Sequence, residues 1–340
     1  MNRSDTDLHD WRARALHIES EIGKAVVGQE SAVRQITAAL FARGHVLLEG
    51  SVGVGKTILL RAFARAIGGA YARVEGTVDL MPNELLYHTY IDQNGKPRVE
   101  PGPLLKNGEA LSIFFFNEMN RARPQVHALL LRVMAERSAS AFARDYYFPH
   151  LTVFADRNRV EKEETFEISS AARDRFLMEI SIETPDDPTI QRALITDPAF
   201  HDVDALIARV APDIVNYQAL NAIAATIQNE LQVSESLQNY VYELWQATRN
   251  PGAYGVVING VQINALMLAG ASPRGISQLL RAARVIAWLK DRYFVAPEDV
   301  QDVFFETVAH RVFFNPVYEL RRAELAHELL RQILNKVAAP

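Results

Sequence analysis

The sequence predicts a parallel α/β sheet carrying a glycine-rich loop, followed by a helical region, and three observations predict it. Up to about residue 185, short apolar strand-like runs alternate with helix-like ones, the pattern of a sheet whose strands are joined by crossover helices. The first strand-like run, His45 to Glu49, leads directly into Gly50-Ser51-Val52-Gly53-Val54-Gly55-Lys56-Thr57, which fits the spacing GxxxxGK[ST]. From about Asp204 onward almost every segment reads as helix.

The strand-like runs are Val46 to Glu49, Tyr71 to Glu75, Leu111 to Phe116, Leu151 to Ala155 and Leu177 to Ile182. Between them, Ile58 to Ile67 reads as a helix stopped by Gly68-Gly69. A further helix places Val126, Leu129, Leu130, Val133 and Met134 on one apolar face. Two inserts break the alternation. Asn94-Gly95, inside Tyr90 to Pro97, signals a tight hairpin. Ser138 to Phe148, with Tyr146-Tyr147-Phe148, predicts a second one. Glu183-Thr184-Pro185-Asp186-Asp187-Pro188 reads as a linker, because two prolines and three acidic residues neither continue a strand nor start a helix well. This divides the chain into domains 1–188 and 189–340. The second domain has predicted helices at Tyr217 to Leu231, Ser236 to Asn250, Pro273 to Asp291, Pro297 to Val312 and Val317 to Val337. The stripe Leu325, Leu329, Ile333, Val337 on the last of these packs most simply on its own domain.

Composition narrows the function. A chain of 340 residues with 49% apolar content buries a large core and fits two domains. A formal net charge of -5 with dispersed charges leaves no electrostatic footprint for nucleic acid. With no cysteine, disulfides, thiol catalysis and cysteine metal sites are excluded, which suits a reducing compartment. The N-terminus is polar and no apolar run approaches the roughly 18 residues of a membrane span, so the expectation is a cytoplasmic protein. The nine histidines show no metal-ligand spacing, and His327-Glu328-Leu329-Leu330-Arg331 lacks the second histidine of a zinc-protease helix.

The loop carries the chemistry. Glycines let backbone amides close around phosphates, Lys56 neutralises the β- and γ-phosphates of a nucleoside triphosphate, and the Thr57 hydroxyl ligates magnesium. A second element is Leu111-Ser112-Ile113-Phe114-Phe115-Phe116-Asn117-Glu118, a buried-type strand ending in two polar residues. Ligands in such sheets sit at the carboxyl ends of strands, which places Asn117 and Glu118 beside the phosphates. Glu118 is then the residue that orients and polarises an attacking water. The usual motif ends in Asp-Glu, with the Asp on the metal side. Asn117 keeps an acceptor oxygen but lacks the charge, which predicts weaker magnesium binding or slower turnover. In the helical region, Ser272-Pro273 forms a cap and first residue, so Arg274 is a cation in a first turn, where the helix dipole disfavours it unless an anion is near.

Many ordered segments of this chain resemble the MoxR branch of AAA+ ATPases. They are Val27-Gly28-Gln29-Glu30, Gly44 to Gly50, Val78-Asp79-Leu80-Met81-Pro82, Pro101-Gly102-Pro103, Asn117-Glu118-Met119-Asn120-Arg121-Ala122 and Asp174-Arg175-Phe176-Leu177. In the helical region they are Gly270-Ala271-Ser272-Pro273-Arg274, Leu280 to Arg284 and Ala296-Pro297-Glu298-Asp299-Val300. The resemblance implies an AAA+ parallel sheet sandwiched by helices, with the first hairpin as the helix-2 insert, the second as the hairpin before the sensor strand, and an all-α lid. It implies ATP and Mg2+ as ligands, Asn158 as the sensor-1 residue holding the attacking water, Arg274 as sensor 2, and Arg175 as an arginine finger reaching a neighbouring subunit, with Arg173 as second candidate. A homo-hexameric ring, a chaperone-like role on a client protein and a partner carrying a von Willebrand factor A domain are implied by the same resemblance. Two departures stand out. Val52 replaces the usual Pro in the loop, and Ala155-Asp156-Arg157-Asn158-Arg159 replaces Ala-Thr-Gln-Asn-Pro. Strand alternation puts Asp156 and Asn158 on one face, where Asp156 is placed to supply the carboxylate missing at Asn117 or to be a plain solvated strand-end residue. A slow or non-hydrolysing nucleotide-dependent scaffold is the alternative that Asn117 leaves open. A nucleic-acid motor or loader shares the fold but conflicts with the acidic balance.

Overall fold

The computed structural model describes residues 7–51, 53–157 and 166–340. Strands run in chain order as β1 (Val46–Glu49), β2 (Ala70–Glu75), a hairpin of β3 (Tyr87–Ile91) and β4 (Pro97–Pro101), β5 (Leu111–Asn117), a hairpin of β6 (Ser138–Ala141) and β7 (Arg144–Tyr147), β8 (Thr152–Arg157) and β9 (Met178–Ser181). The main sheet has the order β2-β5-β8-β1-β9, and the pairs β2–β5, β5–β8 and β8–β1 run parallel. Every residue of β5 is buried, as expected of a continuous apolar run at the centre of a sheet covered on both faces. Phe114, Phe115 and Phe116 pack there with Leu47, Leu48, Val153 and Phe154, all at 0% exposure. Removing any one of these phenyl rings would leave a cavity costing about 3–5 kcal/mol.

The helices are α1 (Leu8–Ile22), α2 (Glu30–Phe41), α3 (Lys56–Ile67), α4 (Pro124–Glu136), α5 (Ser170–Arg173), α6 (Pro188–Thr196), α7 (Val203–Ala208), α8 (Leu220–Glu230), α9 (Glu235–Arg249), α10 (Ile263–Leu266), α11 (Pro273–Leu289), α12 (Pro297–Val308) and α13 (Arg322–Lys336). The described chain forms two compact units. One holds Ala13–Arg175 and Ile180–Asn221; the other holds the residues up to Arg12, Phe176–Glu179 and Ala222–Pro340.

In the first unit, α3 is fixed from behind: Arg65 donates to the Val210 carbonyl at 2.7 Å, and Arg61 pairs with Asp204 of α7 at 2.7 Å. Gly50 is required by a close approach, since a Cβ there would lie 2.3 Å from the Ile182 carbonyl oxygen. In the second unit, α11 and α12 pack together through Leu279, Ala282, Ala283, Val300, Val303 and Phe304, all fully buried. Trp288 of α11 donates its indole N–H to the Leu8 carbonyl at 2.9 Å, tying the start of α1 to the helical unit. Arg311 is wholly buried and donates to the Leu177 carbonyl at 3.1 Å, and also to Phe176 and Gln278.

Two local expectations are corrected. Asp187-Pro188 starts a helix: the Asp187 carboxylate accepts from the Thr189 N–H at 2.7 Å and Pro188 occupies the first position, where its missing N–H is harmless. The predicted helices at Pro297 to Val312 and Val317 to Val337 are shorter, ending at Val308 and beginning at Arg322, with 3-10 turns at 309–311 and 316–321. The helical unit also contains a short antiparallel pair, β10 (Met267–Ala269) with β11 (Phe313–Phe314). No helix among the described residues is long and apolar enough to cross a membrane.

Candidate nucleotide-binding site

After β1 the chain turns through Gly50–Gly55 into α3. Gly53 and Gly55 have φ of +84° and +86°, and a Cβ on either would meet nothing within 4 Å. The requirement for glycine is therefore conformational, and among the described residues the space over the loop is open. Gly55 caps α3 without a side-chain hydrogen bond, which leaves first-turn N–H groups at the positive end of the helix facing that space. Ser51 is exposed; Val54 and Thr57 are half-buried, and Thr57 occupies the second helical position. Val52 lies outside the described residues.

Lys56 begins α3 and turns back under the loop. Its Nζ donates to the Gly50 carbonyl at 3.0 Å and lies 2.7 Å from Oδ2 of Asp156. The two side chains are 10% and 1% exposed, so this is a buried ion pair. Removing one partner of such a pair is strongly unfavourable, whereas the intact pair adds little net stability. The other carboxylate oxygen, Oδ1, accepts the Glu118 N–H. Burial pushes the Asp156 carboxyl above its ordinary range, and the Lys56 hydrogen bond and charge pull it partly back.

The strand ends line up. Glu75 pairs in register with Asn117, Phe116 pairs with Ala155, and Leu48 pairs with Asp156. One step beyond Phe116 and Ala155 are Asn117 and Asp156, so β2, β5 and β8 present Glu75, Asn117 and Asp156 at one level. Asn117 donates its side-chain N–H to the Glu75 carboxylate, which also pairs with Arg73 at 2.7 Å. Glu118 turns the chain with φ +52°, and its carboxylate accepts from Arg121 at 3.0 Å. Gly76 makes this possible: its N–H donates to the Asn117 carbonyl at 2.7 Å, and a Cβ there would sit 2.1 Å from the Glu118 carbonyl oxygen. Glu49 at the end of β1 pairs with Arg157 at 3.2 Å.

The structure thus brings together Gly50, Gly53, Gly55, Lys56, Thr57, Asn117, Glu118 and Asp156. Asn158 lies outside the described residues. Arg173 is 4% exposed and donates to the Ile168 carbonyl at 3.0 Å and to Glu167 at 2.6 Å. Arg175 is half-buried and reaches the Ala171 carbonyl at 3.1 Å. Arg274 belongs to the helical unit, where it is exposed in the first turn of α11; Ser272 accepts the Gly275 N–H at 3.0 Å as the cap. Sequence reasoning missed Glu75, Gly76 and Arg121 as parts of the site. Glu75-Gly76 directly after a strand was the available signal for the first two, and the spacing of three between Glu118 and Arg121 was the signal for the third.

A glycine loop between a parallel strand and a helix, with a lysine at the helix start and a glutamate ending a neighbouring strand, defines the phosphate-loop class of nucleoside triphosphatase fold. Residues 45–178 match the ATPase family associated with various cellular activities (AAA), and residues 263–333 match the AAA lid domain. The chain is 57% identical to Protein MoxR of Methylorubrum extorquens over 340 residues, covering 100% of this chain and 99% of the relative. It is 51% identical to Protein MoxR of Paracoccus denitrificans, covering 99% of both. It is 32% identical to Chaperone MoxR1 of Mycobacterium tuberculosis, covering 94% and 81%. A crystal structure of a protein from Cytophaga hutchinsonii, assigned as an ATPase, superposes with a TM-score of 0.81 at 29% identity, covering 97% and 96%. The chain belongs to the MoxR family of AAA+ ATPases.

Proposed function

We propose that the chain binds ATP and Mg2+ at Gly50–Thr57 and hydrolyses ATP as one subunit of a homo-oligomeric ring, most simply a hexamer, to remodel or mature partner proteins in the cytoplasm. The observation that carries this reading is the placement of Lys56 under an open glycine loop, beside the ends of the two strands that bear Glu118 and Asp156. Bound ATP supplies the transferable γ-phosphoryl group, with its oxygens neutralised by magnesium. The loop N–H groups and Lys56 bind phosphate, Thr57 and Asn117 stand on the metal side, and Glu118 orients the attacking water. Asn158 holds that water in place, and Arg274 answers the anion. Arg175 completes the site of a neighbouring copy; its partial exposure favours it over Arg173, whose guanidinium is engaged in the fold. The relative named as a chaperone supports the remodelling role. A von Willebrand factor A domain protein as working partner rests on the family resemblance.

Lys56→Ala should weaken ATP binding about 100-fold, the magnitude of a lost hydrogen bond to a charged group, and should also lower the melting temperature, because Asp156 is left buried without its partner. Unchanged affinity in nucleotide titrations would overturn the site. A second reading, a slow or non-hydrolysing nucleotide-dependent scaffold, is favoured by one observation, the neutral Asn117 bound to Glu75. A nucleic-acid motor is disfavoured by the charge of -5, and salt-sensitive retention on DNA would revive it.

A further inference from the structure

We propose that in this chain the metal-side carboxylate has moved one strand over, from the end of β5 to the end of β8, and that Asp156 performs the charge function that Asn117 lacks. The inference rests on the nucleotide-binding reading above and names the residue that completes it.

Elimination among the described strand-end carboxylates supports this. Glu49, Glu75 and Glu118 each have an arginine beside them, Arg157, Arg73 and Arg121 respectively. Asp156 is the one paired with the loop lysine, at 2.7 Å. It is also the one bonded to the backbone of Glu118, so a single carboxylate links the loop that cradles phosphate to the residue that addresses water.

Asn117 is not a vacant copy of the missing aspartate. Its amide donates to Glu75, a bond a carboxylate cannot make, so an aspartate there would face Glu75 as a like charge. The amide on β5 and the carboxylate on β8 are therefore mutually consistent: the row keeps one negative charge beside Lys56 and one hydrogen-bonded pair at its outer side.

Burial explains how the carboxylate is held for use. A charge that is 1% exposed persists only with a partner, and Lys56 is that partner. Once phosphate oxygens engage Lys56, Asp156 loses that partner and needs another cation. The divalent ion that accompanies the nucleotide is a hard cation that favours an anionic oxygen. Asp156 then contributes in both states, first neutralising Lys56 and then favouring the metal-bound form of the nucleotide.

Affinity for ADP, measured by displacement of a fluorescent ADP analogue in EDTA and in saturating Mg2+, separates this from a structural role. Asp156→Asn keeps an acceptor for the Glu118 N–H and removes only the charge. The expected result is an affinity in Mg2+ lowered about tenfold, the scale of losing a tuning group at a metal site, with affinity in EDTA held or raised because Lys56 is freed. Parallel loss of both affinities in Asp156→Asn would make the residue merely structural and overturn the proposal. So would no change in either affinity. Failure of the wild type to bind ADP at all would instead overturn the nucleotide-binding reading on which the proposal stands.

Discussion

The ends of β5 and β8 lie side by side, yet one finishes in a neutral amide held by Glu75 and the other in a buried carboxylate held by Lys56. The sequence of β5 alone suggests a weakened enzyme, because the aspartate expected beside Glu118 is absent. The pair of strands suggests a redistributed one. In a parallel sheet the chemistry belongs to a row of positions across strands, and here the charge stands at the position in that row that the loop lysine reaches.

The strongest way to break the comparison is to show that neither strand end suffices without another subunit. Arg175→Ala should lower ATP turnover about 10³-fold, as loss of an arginine finger does. Mixed with Glu118→Gln subunits, it should regain part of the activity, because some interfaces then join an intact Glu118 to an intact Arg175. No recovery, in rings shown to be mixed, would remove the trans role. A sharper and smaller effect is expected at β5. Asn117→Asp sets two carboxylates against each other at the Glu75 position, so turnover should change less than about threefold and in the unfavourable direction. A large gain would show that β5 was the limiting strand after all. The smallest effect concerns α4, which is tied by His127 to the turn after β5. His127 is buried and donates Nε2–H to the Met119 carbonyl at 2.7 Å, and burial lowers its pKa from the ordinary value. The unfolded chain takes up the proton first as pH falls through about 6.5, so the contribution is present above that value and is lost on acidification. The melting temperature of His127→Gln should therefore fall less between pH 7 and 5 than that of the wild type; identical slopes would contradict the assignment.

How much of this was legible in the sequence depends on how local each signal is. The phosphate loop is a contiguous pattern, and β5 announces itself because a strand covered on both faces needs an unbroken apolar run. The Asn94-Gly95 hairpin is equally local, realised in the β3–β4 pair with Gly95 at φ +73°. Strand alternation was enough to single out Asp156, but not to find its partner, since Lys56 is 100 residues away along the chain and only the β8–β1 register joins them. Glu75 and Arg121 each carried a short local signal, but their roles come from neighbours across the sheet and along a turn. The strands β10 and β11 have three and two residues, too few for any periodicity. Asp187-Pro188 misled because proline and aspartate mark a helix start as readily as a linker, and the residues after Pro188 decide between the two.

The most direct test of the account is multiple-turnover ATP hydrolysis in Mg2+ by the wild type beside Glu118→Gln. A strand-end row completed by Asp156 predicts sustained turnover in the wild type and a fall of about 10²–10⁴-fold in Glu118→Gln with ATP still bound. Wild-type turnover no greater than that of Glu118→Gln would contradict it and leave the chain a nucleotide-binding scaffold.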